Sequence, residues 1–180
     1  MKQQKLNIKK TKKRTGPNKL QMPDLNHHFA ETSEENPSLH GFMMMVDTLS
    51  SRTQSLIELF KPQFNGNCSD KISIDDKFYT ALNLKLNVED IAAVLISAQT
   101  FEKNEKTKLP MAENCFDFLE EYIEGARSVI STLMNLFAKD EIEQESDEKI
   151  LKVLDSLKLA IENINDIFKK FCKTKGMLQA

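Results

Sequence analysis

The sequence predicts an all-α protein: a single antiparallel helical bundle of four or five helices, with a long C-terminal helical hairpin and a disordered basic N-terminal arm. Three observations lead there. Leu119, Ile123, Ala126, Ile130, Leu133 and Phe137 recur at alternating steps of four and three, and Ile150, Leu154, Leu157, Ile161, Ile164, Phe168 and Phe171 repeat the pattern. Such steps put every one of these side chains on a single helical seam. Between the two runs, residues 139–147 are polar and mostly acidic, so the helices fold back on each other to bury their seams. Composition agrees, because only five Gly and five Pro in 180 residues are too few for a turn-dense β-sandwich or barrel.

The elements follow in chain order. Residues 1–20 hold Lys2, Lys5, Lys9, Lys10, Lys12, Lys13, Arg14 and Lys19 and no acid. Those eight leave 17 basic residues against 27 acids in the rest of the chain, so a +8 arm precedes a −10 body, although the net charge is only −2. Residues 1–36 are expected to be a flexible arm and linker, too polar to offset the entropy of ordering. The bundle domain is expected over residues 37–175, with residues 176–180 as a tail. Pro37 suits the first turn of a helix capped by Asn36. From there Phe42, Val46, Leu49, Thr53, Leu56 and Phe60 step four and three, and the helix should stop before Pro62. Residues 64–71, with Asn65-Gly66-Asn67, read as a loop.

Ser73 followed by Asp75 and Asp76 marks a helix start, with acids where the helix dipole favours them. That helix is expected over residues 74–84, with Phe78, Ala81 and Leu82 inward. Asn87 is then expected to cap a separate helix through Ile91, Val94, Leu95 and Ala98 to about Lys103. The hairpin helices should run from Pro110 to Ala138 and from a Ser146 cap to Lys175, with Gly176 as the terminating residue.

The residues that carry chemistry are sparse. Cys68, Cys115 and Cys172 are far apart, without C-x-x-C or Cys/His spacing, and read as free thiols in a reducing compartment. His27 and His28, with Asp24, Glu31 and His40 nearby, are candidates for metal ligands or a base, but they sit in the linker and lack H-E-x-x-H spacing. Asp75 with Asp76, and Glu120 with Glu121, are adjacent carboxylates; neighbours on a helix point about 100° apart and do not converge on one atom. The glycines form no phosphate-binding loop, and no G-x-S-x-G elbow is present. The expectation is a protein that is not an enzyme and holds no cofactor or metal.

The basic N-terminus is not followed by an apolar run of 7 to 15 residues, and no stretch approaches the roughly 18 apolar residues of a membrane span. A cytoplasmic location is expected; nuclear import, or delivery into a host cell, is the alternative if Lys9-Lys10-Thr11-Lys12-Lys13-Arg14 acts as a targeting address.

Binding is what remains. The run Phe42-Met43-Met44-Met45-Val46 covers most of its helix's circumference, and Leu151, Val153, Leu159, Ala160 and Ile167 widen the last helix's stripe beyond a two-helix contact. The favoured expectation is a protein–protein interaction module, an adaptor or subunit, that docks a partner helix or a second copy of itself through Met43, Met44, Leu151, Leu159 and Ile167. The alternative is a polyanion-binding protein in which Lys9, Lys10, Lys12, Lys13 and Arg14 contact nucleic acid or an anionic membrane without sequence specificity. The acidic body counts against it, because it repels phosphate.

Overall fold

A computed structural model describes residues 38–65, 73–104, 112–137 and 145–179. The first helix, α1, spans Leu39–Phe60. Its cap is Ser38, whose backbone is extended and whose hydroxyl oxygen accepts a hydrogen bond from the Gly41 amide at 3.0 Å. The expected cap at Asn36 is therefore replaced by Ser38, a residue equally suited to satisfying an orphan amide; Asn36 and Pro37 lie outside the described residues. Val46, Leu49, Ser50, Thr53, Ile57 and Phe60 form the buried face. Ile57 rather than Leu56 sits in the core, because a straight helix with 3.6 residues per turn drifts off a strict seven-residue repeat.

Pro62 stops α1 as expected, yet the chain tightens into a 3-10 turn, Lys61–Phe64, rather than entering a loop at Phe64. That turn buries the Phe64 ring 5.0 Å from Phe60 and 6.1 Å from Phe137, plugging one end of the bundle. Aromatic burial of this size outweighs the modest ordering cost of one extra turn.

The helix α2 spans Ile74–Asn104 without interruption. The start at Ser73 is as read from sequence: its hydroxyl oxygen accepts from the Asp76 amide at 3.1 Å and donates to the Asp76 carboxylate at 2.7 Å. The division into two helices is not. Asn87 is buried in the middle of α2 and caps nothing. The reason lies in Ala81, Leu84, Val88, Ile91, Leu95 and Ala98, which step three and four straight through Asn87 and are all buried. Phe78, expected inward with Ala81 and Leu82, is 38% exposed, while Leu82 is half-buried.

The hairpin consists of α3, Ala112–Phe137, and α4, Glu145–Gln179. Every residue of both predicted seams is buried. The expected terminator Gly176 stands inside α4, without the positive φ of a left-handed cap, and Ser146 lies in the first turn rather than before it. The helix thus runs past Lys175 into what was expected to be a tail, because Lys175 itself is buried in the last turns and holds them down.

The four helices contact one another in a ring, α1 to α2 to α3 to α4 and back to α1. Phe42 of α1 meets Phe101 near the end of α2 at 5.9 Å, and Phe116 near the start of α3 meets Phe171 near the end of α4 at 5.3 Å. Sequential neighbours are therefore antiparallel, the arrangement of an up-down-up-down bundle. No strand occurs among the described residues.

Candidate interaction surface

Ion pairs and hydrogen bonds between charged side chains link neighbouring helices of the ring. Between α1 and α4, the Asp47 carboxylate accepts from Asn165 at 2.9 Å and Lys169 at 2.5 Å. Farther along, Glu58 accepts from Lys158 at 2.8 Å and Lys61 pairs with Asp155 at 2.5 Å. Between α2 and α3, the Arg127 guanidinium grips both oxygens of Glu89, at 3.0 and 2.5 Å, and also reaches Glu124. The Lys169 ammonium, then the Asn165 amide, hold the Asp47 carboxyl below the usual carboxylate range, and Arg127 does the same to Glu89.

One ion pair crosses the bundle diagonally. The Lys175 ammonium of α4 donates to both oxygens of Glu102 on α2 at 2.6 and 2.7 Å, and both side chains are at most 4% exposed. Beside it, burial pushes the Cys172 thiol up to about 12 and the Cys115 thiol up to about 11, which favours the protonated form of both. At the opposite end, the ammonium of Lys77 lies 5.0 Å from the centroid of the Phe64 ring.

The residues weighed for catalysis do not converge. His40 is exposed in the first turn of α1, whereas Asp24, His27, His28 and Glu31 lie outside the described residues. Asp75 and Asp76 are exposed in the first turn of α2, and Glu120 and Glu121 are exposed on α3. No group of three or more His, Cys, Asp or Glu capable of holding a metal ion occurs among the described residues. Cys68 and the basic cluster Lys9, Lys10, Lys12, Lys13 and Arg14 are also outside them.

Of the five residues expected to bind a partner, three pack partly against the core: Met43, Leu151 and Ile167. Met44 and Leu159 are 49% and 59% exposed. They do not share a patch. Met44 lies near Asp47, which bonds Asn165 and Lys169, while Leu159 adjoins Lys158, which reaches Glu58. Fourteen residues of α1 separate those levels, about 21 Å at 1.5 Å per residue.

The larger exposed apolar surface is on α2. Tyr79, Leu82, Leu86, Glu89, Ala93 and Ile96 follow one another at steps of three and four, which aligns them on one side of the helix. Tyr79, Leu86 and Ile96 are 53–63% exposed, and Leu82 and Ala93 are half-buried. Opposite lies the buried stripe from Ala81 to Ala98. This helix therefore carries two apolar seams, one inside the bundle and one outside. Ile96 also borders a shallow cleft between α2 and α3, where Leu95, Phe116 and Ile123 form the floor and Glu120 and Arg127 the rim. Sequence reading missed the outer seam because dividing α2 at Asn87 broke its period; the alternation from Tyr79 to Ile96 was the signal that would have shown it.

Comparisons with protein-family models, with curated proteins and with solved structures find no match. No helix among the described residues is long and apolar enough to cross a membrane.

Proposed function

We propose that this protein is a non-catalytic interaction module, an adaptor or subunit of a larger assembly, that docks a partner helix along the outer seam of α2. The observation that supports it is the second heptad on that helix: five of its six positions are apolar, although the bundle's core is complete without them. A helix packed on the bundle needs one apolar stripe; a second one left in water carries a hydrophobic cost that a binding surface explains. A helix laid along such a seam would anchor at steps of three and four, the groove-docking mode of amphipathic helices. The reading moves the binding surface from Met43, Met44, Leu151, Leu159 and Ile167 to α2, and goes with a cytoplasmic location, where the thiols remain reduced.

The test compares native-extract recoveries by the full chain, by Leu86→Glu, by Met44→Glu and by a chain lacking residues 1–20, each with nuclease and at two salt concentrations. A protein partner retained by the truncated chain and by Met44→Glu, and lost with Leu86→Glu, is the expected result. Recovery of nucleic acid or lipid alone, lost with the arm, would show polyanion binding in its place. A partner indifferent to Leu86→Glu would remove α2 from the account.

A further inference from the structure

We infer that a buried water molecule is bound between α1 and α4, held by the Ser50 hydroxyl and the Asn165 side-chain oxygen, where the first and last helices close the ring. The inference is independent of docking on α2.

Three buried side-chain polar atoms have no hydrogen-bond partner among the described residues: Ser50 Oγ, Asn87 Nδ2 and Asn165 Oδ1. A polar atom removed from water and left unbonded is costly, and such atoms are few in folded proteins. Two of the three stand at one level. Asp47 meets Asn165, Glu58 meets Lys158 and Lys61 meets Asp155, so α1 and α4 lie side by side and antiparallel. Counting back or forward from each contact places Ser50 level with residues 162–166, Asn165 among them. Ser50 follows Asp47 by three positions and shares its side of α1. Asn87 is separate: the Phe42–Phe101 contact puts it level with Leu56, six residues and about 9 Å along α1 from Ser50.

The hydrogen-bonding partners fix which atoms are in need. Asn165 Nδ2 donates to the Asp47 carboxylate at 2.9 Å. A carboxylate only accepts, so the amide cannot be turned round, and Oδ1 is directed away from Asp47. It requires a donor from elsewhere. Ser50 supplies one, because its hydroxyl is not spent on its own helix. Buried Thr53 donates to the Leu49 carbonyl at 2.7 Å, the local bond of a helical hydroxyl to the residue four back; Ser50 makes no such bond to Val46. Donor and acceptor thus share a level without meeting.

Space between them follows from side-chain size. Helices in contact have axes about 8–10 Å apart, a gap that the short serine side chain does not cross. A water fills it, accepting from Ser50 Oγ and donating one hydrogen to Asn165 Oδ1. Its second hydrogen goes to the Val46 carbonyl, which completes the roughly three bonds of a buried water. Val46 and Thr53, about one turn to either side of Ser50, and Ile161 and Ile164, beside Asn165, are all 0% exposed. The site is therefore closed to bulk solvent, and its water exchanges only when α1 and α4 part.

The experiment is oxygen-17 magnetic relaxation dispersion on the full chain, which counts waters held longer than the protein's tumbling time. Ser50→Ala combined with Asn165→Leu removes both ligands, and circular dichroism checks that this variant keeps its helices. The variant should hold about one long-lived water fewer than the parent. A crystal structure of the parent chain, which depends on no substitution, should show density bonded to both Ser50 Oγ and Asn165 Oδ1 at about 2.7–3.0 Å. An unchanged water count in a helical variant would overturn the inference. So would density showing Ser50 bonded directly to Asn165, or turned back onto the Val46 carbonyl with nothing beside Asn165 Oδ1.

Discussion

The least ordinary residues in the bundle are Lys175 and Glu102, because both charges are removed from water and depend on each other. Burying the pair does not by itself stabilise a protein, since desolvation opposes the Coulomb attraction; breaking it strands a charge in an apolar interior. Glu102→Ala should therefore cost about 3–5 kcal/mol in urea denaturation, and Glu102→Leu combined with Lys175→Met should recover much of that loss. A double variant no more stable than the single one would show that these side chains hold α4 through other contacts. The surface carboxylates act in a different range. Asp47 and Glu89 are held below their ordinary values by Lys169 with Asn165 and by Arg127. A carboxyl lowered in the folded state gives stability that is complete above its unfolded value and lost as pH falls through the folded one. The melting temperature should be flat from neutrality to about pH 5 and should then fall on acidification. Asp47→Asn should lower the plateau and flatten that fall; an unchanged acid limb would separate Asp47 from the acid sensitivity.

At the scale of elements, α2 shows how a residue's local preference yields to its surroundings. Asn favours helix caps because its side chain satisfies free backbone amides, yet here the amide nitrogen of Asn87 is buried without a hydrogen-bond partner in mid-helix. Burial of the inner stripe on both sides of it outweighs that defect, since Leu84, Val88, Ile91 and Leu95 each contribute about 1.5–3 kcal/mol. Asn87→Ala should therefore be neutral or stabilising by about 1 kcal/mol, through better helix propensity and removal of an unsatisfied donor. Were Asn87 a cap, the same change would cost about 0.5–2 kcal/mol, so one chemical denaturation curve separates the two descriptions. The two seams of the hairpin carry no such conflict: periodicity and burial agree from Leu119 to Phe137 and from Ile150 to Phe171.

For the molecule as a whole, the ring of four antiparallel helices closes over one core, and the aromatic residues seal its two ends. Phe60, Phe64 and Phe137 meet at one end; Phe116, Phe168 and Phe171 meet at the other. Cys172 lies at the second end, 9% exposed, with its sulfur 3.7 Å from the Leu39 carbonyl. Its thiol should thus report on opening of the entire end. In a Cys68→Ser chain, labelling of Cys172 at pH 8 should be slow, should remain slower than that of half-buried Cys115, and should accelerate in step with loss of helical signal in denaturant. Rapid labelling under native conditions would mean that α1 detaches from α4 without global unfolding.

The all-α class, both hairpin seams, the start at Ser73 and the stop before Pro62 were legible in the residues alone. Each depends on local geometry: a period of 3.6, a hydroxyl able to bond an amide, or a ring that cannot continue a helix. Three matters required the assembled bundle. Whether Asn87 begins a helix or rides inside one depends on the inward stripe finding neighbours on α1 and α3. Whether Gly176 ends α4 depends on Lys175 finding Glu102, a contact across 73 positions of chain. Which excess apolar residues remain outside depends on packing: Met43, Leu151 and Ile167 were drawn against the core, whereas Tyr79, Leu86 and Ile96 were left on an outer face. Periodicity marks a side chain as apolar and assigns it a direction around its helix; only the positions of the other helices decide whether that direction leads to the core or to water.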